Sequence, residues 1–261
     1  IDNENNLVEN ETAPSHFCVL PLVGSEKHIL PIYLNSPDFE PDSERQSLLL
    51  DGFVDWEEHK ELGTIITVRG INRLILKESI DLYDSLVSYI CKNGYHKLYL
   101  LAKGLKRTPD FEKNFNKDWF EKEITLPYRD VLKQYEVVET DSVNKKLFND
   151  DNTPNIIIPS GNKEVRQKIY LLATELFPTN LPLEKYASNW AFFAWNDCGL
   201  FEKEDLCKFV SDKVNASNLP SYDWLNKFLT FIKGEDETLF KKYALIPNIN
   251  GDLISLENET F

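Results

Sequence analysis

The sequence predicts an α+β fold in which strands come first, one long helix follows, and the second half is mainly helical. Two apolar segments, 16–23 and 28–35, have the length and composition of strands. Apolar residues then recur every three to four positions over 71–91, which is the period of a helix. The helical period returns several times after residue 160, and a turn sequence at 248–251 predicts a hairpin.

The first half is predicted to contain a small antiparallel sheet with the long helix packed across it. The segments 16–23 and 28–35 are its first two strands, and 48–50 is the third. An amphipathic helix must bury its apolar face against another element, so we expect the helix over 71–91 to cover this sheet. The side chains expected on its buried face are Leu74, Leu82 and Leu86.

The second half is predicted to consist of helices bracketed by short strands. A strand is expected at 155–159, and Asn162 opens the helix that follows. The hairpin over 243–256 is expected to pair with 155–159 or with a strand at 135–140, because an isolated two-stranded hairpin is only marginally stable. Further helices of the second half are expected at 184–197, 203–215 and 221–233. Their expected core residues are Trp190, Phe193, Trp224, Leu225 and Phe228. In the first half, helical segments are also expected at 95–106 and in part of 109–134.

Polar segments divide the chain into two predicted domains. Residues 1–14 are rich in Asn and Glu, and we expect a linker or tail there. Residues 141–154 are similarly polar and are predicted to be an interdomain linker. The α+β domain therefore spans 15–140, and the mainly helical domain with its terminal hairpin spans 155–261.

The charge balance excludes two classes of partner. The chain has 261 residues, with 29 Lys and Arg against 43 Asp and Glu, and a formal net charge of -14. Affinity for nucleic acids and for anionic membranes comes mostly from Lys and Arg, so we expect neither partner.

No apolar segment is long enough to span a bilayer, no signal-peptide pattern is present, and four scattered cysteines do not make a disulfide framework. These observations predict a cytoplasmic location.

The chain contains no methionine. A protein of this length normally has several, so we expect the sequence to be a piece of a longer protein. The alternatives are that methionine positions were altered or that the sequence omits them.

The glycine spacing excludes the common phosphate-binding loops. The closest two of the ten glycines, Gly63 and Gly70, stand seven positions apart. Dinucleotide-binding fingerprints, P-loops and nucleophile elbows all need glycines closer together than this. We therefore expect no cofactor site of these types in the chain.

The titratable residues make no strong metal or catalytic motif. Carboxylates alternate at Asp38, Glu40, Asp42 and Glu44. An EF-hand beginning at Asp38 needs glycine and glutamate where this chain has Ser43 and Leu49, so a solvated acidic loop is favoured over a calcium site. His16 and Cys18 lie on one face of a strand without further ligands, which indicates a sheet face and not a metal site.

Arg45 differs from the other charged residues, because it lies between the acidic loop and the apolar run 48–50. A cation held in such a position can be directed at an anion. An ion pair with Asp42 or Glu44 is the alternative, and the charges alone favour it.

Three segments of the sequence form an ordered pattern. They are His16-Phe-Cys-Val-Leu-Pro-Leu with Leu30-Pro-Ile-Tyr-Leu-Asn-Ser-Pro-Asp-Phe-Glu-Pro-Asp-Ser-Glu-Arg45, then Gly70-Ile-Asn-Arg-Leu-Ile-Leu leading into a helix with Tyr83, then Ala244-Leu-Ile-Pro-Asn-Ile-Asn-Gly-Asp-Leu253. This pattern resembles the region that follows the ATP-binding module in sacsin-like, Hsp90-like ATPases of the GHKL superfamily. The resemblance is good over 16–105 and loose over the remainder.

The resemblance implies a fold and a role for one residue. Transducer, or middle, domains of this superfamily have the ribosomal-protein-S5 domain-2-like fold, and that fold is expected for 15–140. A basic residue of the transducer reaches the γ-phosphate of ATP, and Arg45 occupies that place here, where gyrase-like and MutL-like relatives use lysine. ATP and Mg are implied for the longer parent protein. The chain itself lacks the Asp-x-Gly-x-Gly loop of the ATP site.

The implied function is coupling. The chain would transmit the nucleotide state of an upstream ATPase module of the same protein to client or partner proteins, and it is not expected to hydrolyse ATP by itself. A protein-interaction module without any link to nucleotide is the alternative.

Overall fold

The structure, a computed structural model, describes residues 1–9, 13–25, 30–52, 54–108 and 115–256. The chain divides into two units, which are treated separately below. Unit 1 comprises Ile1–Glu139, Asn144–Leu147 and Phe193–Trp195. Unit 2 comprises Thr140–Val143, Phe148–Phe192 and Asn196–Phe261. The segment 141–154, predicted as a linker, therefore contributes residues to both units.

Helices and short strands both occur along the chain, which confirms the predicted α+β class. The strands are β1 (His16–Cys18), β2 (Leu20–Pro21), β3 (Leu34–Asn35), β4 (Trp56–His59), β5 (Gly63–Ile66), β6 (Ile158–Pro159), β7 (Leu200–Phe201), β8 (Ile246–Pro247) and β9 (Leu253–Ile254). The helices are α1 (Val68–Lys92), α2 (Lys117–Phe120), α3 (Leu126–Lys133), α4 (Lys163–Leu176), α5 (Glu184–Phe193), α6 (Lys203–Ser211), α7 (Tyr222–Glu235) and α8 (Leu239–Lys242). Short 3₁₀ turns lie at Leu98–Ala102 and Ala216–Asn218, and a π-helical turn at Glu121–Thr125 joins α2 to α3.

The first sheet of unit 1 has the order β2-β1-β3, and its pairing differs from the prediction. The turn at Val19 reverses the chain at once, so the antiparallel neighbour of β1 is β2. Strand β3 joins the other edge of β1 in parallel, with His16 opposite Leu34. The expectation that 16–23 and 28–35 form an antiparallel pair was therefore wrong, although residues 28–29 lie outside the described part of the chain. The predicted third strand, 48–50, contributes only a bridge between Leu48 and Pro41.

A second hairpin, which the sequence analysis did not predict, immediately precedes α1. Strands β4 and β5 pair in antiparallel register from Trp56 opposite Ile66 to His59 opposite Gly63. The residues of β4 are all exposed, and neither strand has the alternation of apolar and polar residues that identifies a half-buried strand. Thr67 then caps α1 by accepting a hydrogen bond from the Gly70 amide at 3.0 Å.

Helix α1 confirms the helix predicted over 71–91, but it buries a different face. Leu74, Leu82 and Leu86 are 50%, 65% and 39% exposed, so the predicted buried set was wrong. The buried positions are Gly70, Asn72, Arg73, Leu76, Ser79, Tyr83, Val87 and Ile90. This face is buried because its polar side chains find partners inside unit 1, and its main packing partner is α3 and not the first sheet.

The contact between α1 and α3 is centred on two tyrosines. The rings of Tyr83 and Tyr128 stack with their centroids 4.6 Å apart. The Tyr83 hydroxyl donates to the Leu101 carbonyl at 2.6 Å, and the Tyr128 hydroxyl lies 2.7 Å from the hydroxyl of Ser79. Burial raises the pKa of both tyrosines, so they stay neutral hydrogen-bonding groups in the core.

Two other predicted features of unit 1 take a different form. Residues 1–9, expected to be tail, are fastened to the unit, because the Leu7 amide donates to the His96 carbonyl at 3.0 Å and Glu9 pairs with Lys103 at 2.6 Å. The strand expected at 135–140 is reduced to one bridge, which joins Val138 to Lys145.

Unit 2 is a helical assembly whose core the sequence predicted well. Asn162 caps α4 by accepting from the Val165 amide at 3.0 Å. Trp190, Trp224, Leu225 and Phe228 are buried as predicted, whereas Phe193 is half-buried and belongs to unit 1. The Trp224 indole donates to the Leu172 carbonyl at 2.9 Å, which fixes α7 against α4.

The terminal hairpin forms as predicted but pairs with another segment. Its third neighbour is the stretch after α6, since the Leu253 amide donates to the Val214 carbonyl at 2.7 Å and the Ala216 amide donates to Gly251 at 2.8 Å. The expected partner strand, β6, pairs in parallel with β7. Short apolar runs ended by proline carry little information about their partners, so the sequence did not distinguish these pairings.

Candidate functional site

The loop that carries Arg45 is braced from within. We call residues 41–48 the Arg45 loop; it is closed by the bridge between Pro41 and Leu48. The Asp42 carboxylate accepts hydrogen bonds from the Gln46 amide at 2.8 Å and from the Ser47 hydroxyl at 3.0 Å. Asp42 is therefore a brace of the loop. In the described part of the chain, no group of three or more His, Cys, Asp or Glu side chains is placed to hold a metal ion.

Arg45 lies at the tip of this loop with its side chain in solvent. Its backbone is left-handed, with φ 54°, and its amide donates to the Asp42 carbonyl at 3.0 Å. Its guanidinium donates one hydrogen bond, from Nη2 to the Cys18 carbonyl at 3.1 Å. Within the part of the chain that the structure describes, no ion pair includes Arg45. The alternative of a local ion pair is thus not what the loop adopts.

The turn beside Arg45 has an unusual backbone. Val19, between β1 and β2, has φ 62° and is 72% exposed. A β-branched residue in the left-handed region is strained, and such residues cluster at functional positions. Val19 and Arg45, both left-handed, lie close together on the exposed surface, because the Arg45 guanidinium donates to the carbonyl of Cys18, the residue before Val19.

Gly24 lets the chain after β2 pack directly on the Arg45 loop. Its φ is 118°, and a Cβ built at this position would lie 2.9 Å from the Gln46 carbonyl oxygen. Such a distance is too short for a methyl group against a backbone atom. Glycine therefore permits this close approach, and any larger residue would force the backbone to shift.

A buried asparagine of α1 holds the base of the Arg45 loop. The Asn72 side-chain amide donates to the Glu40 carbonyl at 2.7 Å and to the Leu49 carbonyl at 3.1 Å, and its oxygen accepts from the Glu40 amide at 2.8 Å. Glu40 directly precedes the loop and Leu49 directly follows it. Both ends of the Arg45 loop are thus fastened to the first turns of α1 by one side chain that is fully buried.

Two arginines of the same helix hold the segment after the loop. Arg73 is 3% exposed; it pairs with Asp55 at 2.7 Å and donates to the Leu50 carbonyl at 3.0 Å. Arg69 forms a two-bond pair with Asp51 at 2.8 and 3.2 Å. The hydrogen bond from Arg69 lowers the pKa of the Asp51 carboxyl, which keeps the pair charged. The start of α1 therefore anchors both ends of the Arg45 loop, Leu50, Asp51 and Asp55.

The other candidate residues have structural roles. The His16 ring is buried, with Nδ1 2.9 Å from the Ser15 hydroxyl, and the Cys18 thiol donates to the Phe39 carbonyl at 3.1 Å. Tyr83, the helix tyrosine of the family pattern, is a core residue. Cys207 is buried, which raises the pKa of its thiol to about 12 and makes it unreactive.

Sequence reasoning proposed Arg45 as the candidate residue, and it did not identify Asn72, Val19 or Gly24 as parts of its surroundings. A usable signal existed for Asn72, because Asn72 and Arg73 are two polar residues inside an apolar helical stretch. Polar residues away from an apolar stripe are usually predicted to face solvent, but here Asn72 and Arg73 are buried and leucines of the stripe are exposed. The left-handed backbone of Val19 has no sequence signal.

Comparisons with family models, with curated proteins and with solved structures give no match. The relationship to Hsp90-like ATPases therefore stays a hypothesis that depends on the sequence pattern. Of the helices in the described part of the chain, none has the combination of length and apolar composition needed to cross a membrane.

Proposed function

We propose that this chain is the middle, transducer-type region of a larger sacsin-like, Hsp90-like ATP-binding protein, and that it couples nucleotide state to partner binding. The observation that carries this proposal is the exposed Arg45 guanidinium on a braced loop, which belongs to no ion pair in the described part of the chain. Unit 1 is proposed to be a variant of the ribosomal-protein-S5 domain-2-like fold. Its mixed sheet and long helix support that assignment.

The chemistry of Arg45 suits a phosphate group. An arginine has five N–H donors in a planar fork, and a phosphate accepts two of them at once. One donor is used on the Cys18 carbonyl, which orients the fork, and the remaining donors make no further hydrogen bond in the part of the chain described. In this proposal the free donors contact the γ-phosphate of ATP. The upstream module of the parent protein holds that ATP with its Mg.

Asn72 gives the contact a route into the domain. A phosphate bound to Arg45 would favour one position of the Arg45 loop. Both ends of that loop are hydrogen-bonded to Asn72 on α1. Bound ATP would then favour one arrangement of α1 and its neighbours, and hydrolysis would remove that preference. The fastened loop, and not the arginine alone, makes transmission physically reasonable.

Hydrogen exchange in the longer parent protein tests this proposal. The Gln46 amide, which donates to Asp42, should exchange more slowly with a non-hydrolysable ATP analogue than with ADP. Arg45→Ala should abolish the difference, whereas substitution of the exposed Arg107 in the same unit should leave it unchanged. Equal exchange of this amide in both nucleotide states would contradict the proposal.

A protein-interaction module with no nucleotide link is the second candidate function. The exposed leucines of α1 favour this function, because a helix face that stays in contact with water has no need of apolar side chains, whereas a face that binds another protein uses them. The sequence upstream of this region separates the two candidates. An Asp-x-Gly-x-Gly motif there supports the ATPase hypothesis, and its absence supports the interaction module.

A further inference from the structure

Helix α1 has a second apolar face, which lies beside its buried residues, about a quarter of a turn around the helix. We call this face the outer stripe; it consists of Val68, Ile71, Ile75, Leu82, Leu86 and Tyr89. Leu82 is 65% and Tyr89 55% exposed. Its members follow one another at spacings of three, four or seven residues, so they lie along one line of the helix.

The outer stripe is larger than a chance exposure of single residues. From Val68 to Tyr89 it covers 21 residue steps, which at about 1.5 Å per residue is about 32 Å. Single exposed apolar residues are normal on protein surfaces. A line of this length, interrupted at Glu78 and half-buried at Ile71 and Ile75, is typical of a face that receives another helix. Four of its members, Val68, Ile75, Leu82 and Tyr89, follow one another every seven residues, which is the heptad repeat of a coiled coil.

The charges along the outer stripe are acidic. Glu78 fills the one gap in the stripe, between Ile75 and Leu82, and Asp81 stands beside it. Neither carboxylate has an ion-pair partner among the described residues. Three basic residues of the helix pair with other carboxylates: Arg69 with Asp51, Arg73 with Asp55, and Lys77 with Glu123 at 2.8 Å. The fourth, Lys92, is the last residue of the helix and lies far from Glu78 and Asp81.

We propose that the outer stripe is a docking surface for a basic amphipathic helix of a partner protein. Apolar residues of that helix would pack between Ile75, Leu82 and Leu86, and its Lys or Arg residues would pair with Glu78 and Asp81. A second copy of this chain is a poorer occupant. Two such helices would bring acidic residues together, in chains that each carry a net charge of -14. This surface does not involve Arg45, so the inference goes beyond the nucleotide-linked function and can fail separately from it.

The test uses the whole chain and two synthetic helical peptides of 21 residues, one with Leu at a and d and Lys at e and g, the other with Glu in place of Lys. Fluorescence anisotropy should show that the Lys peptide binds at least about tenfold more tightly than the Glu peptide. Leu82→Glu should weaken the Lys peptide by about tenfold or more, because it places a charge in the apolar seam. The matched control is Leu171→Glu, at a 57% exposed leucine of α4, which should change binding by less than about twofold.

Charge reversal gives the second measurement. The double variant Glu78→Lys with Asp81→Lys should exchange the preference, so that the Glu peptide binds more tightly. Both exposed substitutions should leave the thermal melt unchanged, which separates binding from folding. The proposal is overturned if Leu82→Glu and Leu171→Glu have equal effects or if neither peptide binds. It is also overturned if the chain forms a dimer by sedimentation that Leu82→Glu abolishes.

Discussion

At the scale of single residues, the fold of unit 1 depends on buried polar side chains that hold backbone and not on apolar contacts alone. The Asn72 side chain forms hydrogen bonds with three backbone groups that would otherwise bind water, and the Tyr83 hydroxyl does so with one. A buried polar side chain of this kind contributes about 1 kcal/mol per hydrogen bond when formed, and its removal leaves the backbone groups unpaired. These residues therefore specify the geometry around Arg45.

Replacing Asn72 with alanine should lower the free energy of unfolding of unit 1 by about 2–4 kcal/mol, because two carbonyls and one amide lose their partner. Urea denaturation followed by fluorescence measures this loss. The control is Asn226→Ala at an exposed position of α7, which should change stability by less than about 0.5 kcal/mol. Equal stabilities of the two variants would show that the Asn72 hydrogen bonds do not hold the loop.

Replacing Gly24 with alanine should displace the Arg45 loop and destabilise unit 1 by about 1–3 kcal/mol, since the methyl group meets the Gln46 carbonyl at a strained backbone position. Thermal melts give the stability, and faster exchange of the Gln46 amide reports the displacement. Gly234→Ala is the matched control, because nothing lies within 4 Å of its Cβ and it stands in α7. Gly234→Ala should stabilise unit 2 by about 0.5–1 kcal/mol. The packing described is contradicted if Gly234→Ala lowers stability and Gly24→Ala does not.

At the scale of elements, periodicity predicted where helices lie but not which face they bury. Helix α1 has apolar residues on two sides, so the pattern is satisfied by either face. The decision is made by Asn72, Arg73 and Tyr83, whose partners are far away in the sequence and are not visible in a local pattern. In unit 2 most apolar residues of α7 lie on its buried side, and the predicted core residues of α7 are correct.

The same limit explains the strands and the candidate site. Strand pairs of two residues carry too few side chains to specify a partner, so the partners of β1 and of the terminal hairpin were predicted wrongly. Arg45 was accessible to sequence reasoning because an isolated cation beside an apolar run is a local feature. The clamp by Asn72 joins residues 32 positions apart, so only the folded chain reveals it.

The two faces of α1 should respond differently to truncation. Leu76→Ala should cost about 2–5 kcal/mol, because Leu76 is fully buried and its removal leaves a cavity. Leu82→Ala, on the same helix but 65% exposed, should change stability by less than about 0.5 kcal/mol. Chemical denaturation of both variants measures the difference, and a large loss at Leu82 would mean that the outer stripe is part of the core.

At the scale of the whole molecule, the first unit is not a continuous segment of sequence. Phe193–Trp195 belong to unit 1, where the Tyr99 and Phe193 rings stack at 6.0 Å and the Arg129 guanidinium lies 5.4 Å from the Trp195 ring centroid. Trp195 is 1% exposed. A cut at the predicted boundary near residue 140 therefore removes part of the core.

A fragment of residues 1–147 should expose the apolar surface that Phe193 and Trp195 cover. We expect it to bind a hydrophobic dye and to form aggregates, whereas the whole chain stays monodisperse at the same concentration. Light scattering during heating measures the difference, and Trp195→Ala in the whole chain should lie between the two. A fragment that melts cooperatively at the temperature of the whole chain would show that Phe193–Trp195 are dispensable.

ATP turnover by the longer parent protein, with and without Arg45, tests the central claim most directly. Arg45→Ala should lower turnover on the order of 10³-fold, because it removes a cation that stabilises charge developing on the γ-phosphate. The same substitution at Arg107, which is also exposed, should leave turnover within about twofold of the unaltered protein, as expected for a residue away from the reacting group. Equal turnover with and without Arg45, or a parent protein that does not turn over ATP at all, would contradict the account.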